Sequence, residues 1–265
     1  MASTIGLTGL LSSDDGDNTK DLYRILNTSS DPSSGSITMT ADIANVSAFE
    51  SANPIAIANA AGIKSATGSF NAFFPRDGAA FGDEGLVTFA NGYTENVSGY
   101  TLNLSCGSYD DTGFASTPPG FRSFIPGEIS FSGSYQCNID DTTAHELPGT
   151  SGEATFRLND DTVDNTLAGT IIVQSVNWNV ERGAKNNATV NFVGTGNLTS
   201  AGTNPLFAAG ALATPNVTDI VLRAEGDIDW DGAAFWTALN ITCNIGAPIT
   251  IAGTLQCTGT YSLGS

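Results

Sequence analysis

Residues 37–71 of this 265-residue chain lie over residues 102–136 without a single gap. Phe49, Pro54, Gly62 and Gly68-Ser69-Phe70 fall opposite Phe114, Pro119, Gly127 and Gly133-Ser134-Tyr135, at a constant offset of 133 − 68 = 65. Each copy is an alternating run, a loop rich in Gly, Pro and polar residues, and a second alternating run. In the second copy Tyr100, Leu102, Leu104 and Cys106 share one face against Thr101, Asn103 and Ser105; then Ile129, Phe131 and Gly133 oppose Ser130, Ser132 and Ser134. A period of two is that of a half-buried strand. A second type of unit also occurs twice, as hairpins over 176–198 and 241–263. There Asn179 matches Asn244, Gly194-Thr195 matches Gly259-Thr260 and Leu198 matches Leu263, again with 259 − 194 = 65. The chain therefore reads as type one, type one, type two, type two, a duplicated β unit.

Composition agrees with an all-β chain. Apolar residues make up 40% and charged residues 14%, with 30 glycines. The apolar positions come in short alternating runs, so many short strands joined by turns are expected. Further strands are expected at 85–90, 153–158, 169–180 and 219–225, with 153–158 repeating the role of 85–90. Residues 1–36 form a polar, turn-rich arm with a short amphipathic piece at 20–26, either a frayed end or an ordered arm reaching a neighbour.

The formal net charge of −18, with only nine Lys and Arg, argues against gripping nucleic acid, which rests on neutralising phosphates. The opening MASTIGLTGL has neither a basic n-region nor a long apolar core, so neither a secretory signal nor a membrane span is expected. Cys106, Cys137, Cys243 and Cys257 have no C-x-x-C spacing and His145 is the one histidine; buried thiols are expected rather than disulfides or a metal site, and no cofactor. The N-x-S/T triplets at Asn45, Asn103, Asn197 and Asn240 then reflect composition.

Catalytic signals are weak. The pairs Asp110-Asp111, Asp140-Asp141 and Asp160-Asp161 would have to act as acid and base for glycoside hydrolysis, but all sit in turn contexts that favour Asp. Residues 227–232, DIDWDG, match half of a calcium loop, yet the twelfth position is Ala238 where a bidentate Glu belongs; a turn is expected there. His145 lacks a nucleophile elbow. The expectation is no enzyme. Trp178, Trp230 and Trp236 leave open a carbohydrate-binding or adhesive β-sandwich as the alternative function.

Residues 100–200 carry a resemblance. An alternating strand, Asp-Thr-Gly-Phe at 111–114, aromatic-Arg-x-aromatic-Ile-Pro-Gly at 121–127, a Ser-Gly-Ser strand and a closing Phe-x-Gly-Thr-Gly-x-Leu at 192–198 together resemble the tail tube proteins of long-tailed bacteriophages. The resemblance implies related β-sandwich or barrel domains, rings stacked into a conduit for DNA, a virion location after assembly in the host cytoplasm, other tail proteins at the tube ends, and no membrane. Duplication implies a trimeric ring with pseudo-sixfold symmetry, with the usual hexamer as the alternative. The order of the halves places domain 1 at 37–98 plus 201–265 and domain 2, inserted, at 99–200.

Two groups of site residues follow. Phe49, Pro54, Ile55 and Ile57 in one loop, and Phe114, Phe121, Arg122, Phe124 and Ile125 in the other, are candidates to dock on an adjacent ring or subunit. The small polar face carrying Asn103, Ser105, Asn177, Asn179, Asn240, Thr242 and Asn244 either lines a wet lumen or is a solvated outer face. DNA would pass such a lumen without specific binding.

Overall fold

The sheet runs β2-β3-β13-β12-β6-β7-β10-β9-β8-β4-β5, with β11 on the far end of β12 and β1 on β11, and every pairing is antiparallel. These strands are β1 (Leu10–Asp14), β2 (Ser34–Asn45), β3 (Asn59–Phe73), β4 (Leu86–Phe89), β5 (Thr94–Glu95), β6 (Val97–Asp110), β7 (Phe124–Asn138), β8 (Ser151–Arg157), β9 (Thr166–Asn179), β10 (Asn187–Ala201), β11 (Thr218–Ala224), β12 (Ile228–Asn244) and β13 (Thr250–Gly264). This is a computed structural model that describes residues 10–14, 34–45, 59–73, 86–89, 94–95, 97–113, 120–138, 147–157, 166–180, 182, 186–201, 218–224, 228–244 and 247–264. The protein is all-β. Among the described residues no helix is long and apolar enough to cross a membrane. The amphipathic piece at 20–26 lies outside the described residues.

The strand order is the same sentence written twice. Reading β2-β3-β13-β12-β11-β1 beside β6-β7-β10-β9-β8-β4 gives one strand-for-strand correspondence. Registers agree too: Ser36 faces Ser69 in β2/β3, and 65 residues on Thr101 faces Ser134 in β6/β7. The two hairpins correspond at a different offset. Gly253 sits between Leu239 and Phe70 as Val190 sits between Val176 and Tyr135, an offset of 253 − 190 = 63. Bulges fall at matching places, between Asn191 and Phe192 on β10 and opposite Trp236 and Ala238 on β12. The sequence match at 65 is therefore two residues out of structural register. A slip of two preserves which face each residue occupies, so the alternating pattern could not detect it.

Three other expectations are corrected. Residues 153–158 do not repeat the role of 85–90; β8 pairs with β4 directly and corresponds to β11. Residues 86–95, grouped by the sequence with the first unit, attach to β8 among the strands of the second. The 228–232 stretch is the start of β12, paired with β11, rather than a turn.

The central strands bury one face. In β6 the order of burial from Val97 alternates through Tyr100, Leu102, Leu104 and Cys106, all buried. Opposite them lie Phe131, Tyr135 and Cys137 of β7, Val190 and Phe192 of β10, and Ile171 and Val173 of β9. Phe156 of β8 stacks on Phe192 at 5.3 Å, and the Tyr100 hydroxyl donates to the Arg157 carbonyl at 2.9 Å. The β8 end of the sheet is thereby folded over the core that β6 and β7 begin. Gly133 permits the closest approach: a Cβ there would meet the Thr101 carbonyl oxygen at 2.1 Å and the Phe192 ring at 2.7 Å.

Candidate functional site

Opposite the core runs a second face that crosses eight strands, β9-β10-β7-β6-β12-β13-β3-β2. Its rows follow from the registers. Ser175, Asn191, Ser134, Thr101 and Thr242 make one row; Ser132, Asn103, Asn240, Ala252, Asn71 and its partner on β2 make the next. The residues just named are all Ser, Thr, Asn or Ala; Val193 on β10 and Ile172 on β9 continue the second row, and the first charged residue met on β7 is Glu128, beyond Ser130 at the rim. A groove of about 710 Å³ runs over this face, between Ser69 of β3, Asn103 and Ser105 of β6, Ser130 and Ser132 of β7, Asn240 of β12 and Thr254 of β13.

Polar ladders tie neighbouring strands together across the face. Thr101 and Ser134 hydroxyls bond at 3.0 Å and Ser105 and Ser130 at 2.7 Å; the repeat supplies the same ladder as Ser36 to Ser69 and Thr40 to Ser65, each at 2.8 Å. Cross-strand hydroxyl pairs of this kind contribute roughly 0.2–1 kcal/mol each. Using Ser and Thr keeps the layer thin and satisfied without a charge.

The two repeated units meet at one joint inside the face, where β12 pairs β6 from Ala238↔Ser105 to Asn244↔Gly99. Asn240 Nδ2 donates to Asn103 Oδ1 across it, and the Thr242 hydroxyl donates to Asn240 Oδ1 at 3.1 Å. Beneath the joint Leu102, Leu104, Leu239 and Ile241 are no more than 3% exposed. A second tie sits at the end of the same strands. Residues 120–124 cross to β3 and β13: Lys64 N donates to the Gly120 carbonyl at 2.7 Å, Arg122 N to the Lys64 carbonyl at 2.8 Å, and Phe124 N to the Thr258 hydroxyl at 2.7 Å. Phe121 packs edge-on against Tyr261 at 5.1 Å, with Lys64 Nζ over its ring at 5.3 Å. Arg122 reaches Asp42 at 3.0 Å and Asp110 at 3.3 Å. These contacts raise the Arg122 pKa, Asp42 first, while hydrogen bonds from Thr112 and then Arg122 hold the Asp110 carboxyl below its ordinary value.

The sequence-derived residues distribute as follows. Asn103, Ser105, Asn240 and Thr242 come together on the polar face at the joint, Asn244 at its end, and Asn177 and Asn179 on β9 at the outer end of the same face. Phe121, Arg122 and Phe124 pack against β3 and β13 of their own chain, with Ile125 48% exposed beside them. Phe49, Pro54, Ile55, Ile57 and Phe114 lie outside the described residues. Sequence reading missed the hydroxyls of β3 and β13, among them Ser65, Ser69 and Thr254; alternation along 59–73 and 250–264 was the available signal. It also missed the joint, because pairing between two half-buried strands leaves no local mark.

All four cysteines are buried, and no disulfide joins them. Burial pushes the Cys106 thiol up and the Cys257 thiol up to about 12, so neither is a nucleophile at neutral pH. Asp110 ends β6 with its Oδ1 accepting from Thr112 N at 2.9 Å, the turn role expected of it.

No protein-family profile and no curated protein matches the chain. Among solved structures, the tail tube of SPP1, determined by solid-state NMR and cryo-EM, is similar over 46% of this chain and 79% of its own, with 13% identity and a TM-score of 0.32.

Proposed function

We propose that this protein is a structural, non-catalytic subunit that assembles with copies of itself into stacked rings, the tail tube of a long-tailed phage, through which DNA leaves the virion. The carrying observation is the joint: one chain already contains two equivalent units joined edge to edge by β12 and β6, with the uncharged polar face continuous across the seam. In this reading the units are two domains, the second built from β4–β10 and inserted between β1–β3 and β11–β13 of the first, and the polar face is the lumen wall.

The wall supplies its own estimate of stoichiometry. Eight strands per chain give 3 × 8 = 24 in a trimer. At about 4.8 Å between strands and a tilt of about 40°, the wall is roughly 150 Å around and 48 Å across its backbone. Side chains about 5 Å tall leave a bore of roughly 38 Å. Two chains leave only about 22 Å by the same reckoning, tight for a duplex whose grooves are themselves about 8 Å deep. Three chains provide the six equivalent units of a pseudo-sixfold ring.

Negative-stain microscopy of the purified protein tests this. Hollow rods whose averaged rings show three chains are expected. A monodisperse monomer under all conditions, above all one that binds a glycan array, overturns it in favour of an adhesive β-sandwich.

A further inference from the structure

The internal joint has a counterpart that the described strands leave open at both ends of the eight-strand face. On the joined side, β11 pairs one end of β12 up to Ala234 and β6 takes the same edge from Ala238 onward. On the corresponding strand β9, β8 covers that edge from Thr166 to Ile172, and no described strand continues beyond it. At the other end of the sheet β2, the counterpart of β6, has β3 on one side and no described strand on the other. What is buried at the joint is half open here. Met39 is 43% exposed where its counterpart Leu104 is 2% exposed, and Trp178 is 49% exposed where its counterpart Ile241 is 0% exposed.

We infer that β9 of one chain pairs antiparallel with β2 of the next, in the register that the internal joint dictates. That register follows from the structural correspondence, which is 63 residues for β9 to β12 and 65 for β2 to β6. Leu239↔Leu104, Asn240↔Asn103 and Ile241↔Leu102 become Val176↔Met39, Asn177↔Thr38 and Trp178↔Ile37. The apolar members fall on the core side and complete it. The polar pair falls on the wall, where Asn177 and Thr38 repeat the contact of Asn240 with Asn103. Because β9 and β2 lie at opposite ends of the eight-strand face, the contact is heterologous and propagates from copy to copy until rotation closes it. Edge strands of this length without Lys or Pro on them call for a partner.

The inference rests on the self-assembly proposed above, and a disulfide test separates the two. Asn177→Cys combined with Thr38→Cys places two thiols within reach only across the joint, since either class of antiparallel pair has a Cα separation that a disulfide spans. The native cysteines are buried and do not compete. Mild oxidation should give covalent dimers and trimers on a non-reducing gel, severalfold more than Asn177→Cys with Ser36→Cys, the pair that a uniform offset of 65 would align. Dominant cross-linking of the 177/36 pair overturns the register. Tubes that form without either cross-link, or a disulfide within a single chain, overturn the edge pairing while leaving the tube reading standing. Covalent trimers that never stack support the joint and sink the tube; neither tubes nor cross-links sinks both.

Discussion

The two copies of the unit solve one packing problem in two ways, and exchanging the solutions is a quantitative test of the structural correspondence. In the second unit the Phe131 ring, 4% exposed, lies in a hollow made by two glycines: a Cβ on Gly194 would meet three of its ring carbons at 2.2–2.3 Å, and a Cβ on Gly169 would meet Phe131 Cζ at 2.8 Å. In the first unit the counterpart of Phe131 is Ala66, 2% exposed, and the counterpart of Gly194 is Cys257, 4% exposed. Volume has moved from one strand to its neighbour. Phe131→Ala should cost about 3–5 kcal/mol, the transfer of the ring plus the cavity left behind. Gly194→Cys should cost about 1–3 kcal/mol or more, because the ring it strikes is walled in. Together they recreate the first unit's arrangement, so the double variant should be more stable than the sum of the singles predicts by about 1–3 kcal/mol. Urea unfolding of dilute, unassembled chain, extrapolated linearly to water, measures all four corners of the cycle. Strict additivity would show that Phe131 and Gly194 are not the structural equivalents of Ala66 and Cys257.

Arg122→Ala should leave the thermal unfolding midpoint nearly unchanged, because its carboxylate partners Asp42 and Asp110 are 60% and 44% exposed and such pairs are weak; a large drop in the midpoint would contradict this. Gly133→Val should prevent folding of the second unit, since its Cβ has no space beside the Thr101 carbonyl; a soluble variant with unchanged circular dichroism would count against the β6/β7 register. The Cys257 thiol, ordinarily near 9.0 and pushed up to about 12 by burial, adds stability that is complete below pH 9 and is lost as pH rises toward 12, because only the unfolded chain ionises it readily. Unfolding midpoints should therefore fall above pH 9, and Cys257→Ala should flatten that fall; an unaltered slope would remove Cys257 as its cause.

Much of the fold was legible because the information was periodic. The alternation in 100–106 and 129–135 determined which side chains are buried, and the ungapped match of Gly68-Ser69-Phe70 with Gly133-Ser134-Tyr135 reflects a true correspondence of β3 with β7. The failures share a physical origin. Identity at Gly194 and Gly259 favoured an offset of 65, while the backbone pairs at 63, and alternation is blind to a shift of two. The exchange of β4 and β8 failed for a related reason: EATFRL and GLVTFA share the alternation common to any half-buried strand, and in the fold they are paired neighbours rather than copies. Partner choice between strands lies in long-range packing, which no local pattern records. The Ser, Thr and Asn of the wall were visible as a polar face, but whether that face is an outer surface or a lining depends on neighbours that the sequence does not name.

The charge of the chain acquires a place from this arrangement. Of the −18 formal charges, none falls in the two central rows of the polar face; acids appear at strand ends and rims, as Asp42, Asp110 and Glu128 do. A tube lined by carboxylates would repel a duplex, but each would need its own water and counterion in a narrow bore. One lined by Lys or Arg would release the counterions of DNA and hold it. A hydroxyl and amide lining does neither: many of its groups are already bonded to one another along the ladders, so few are left to grip a phosphate. Ser132→Lys with Ala252→Lys places two cations on the polar face, on β7 and β13, and leaves the Asn103–Asn240 contact of the joint in place. In the assembly proposed, that pair should leave tubes intact by microscopy and give them a salt-sensitive retention of duplex DNA that the native tubes lack. Equal retention by native and altered tubes would mean that the polar face does not line the bore.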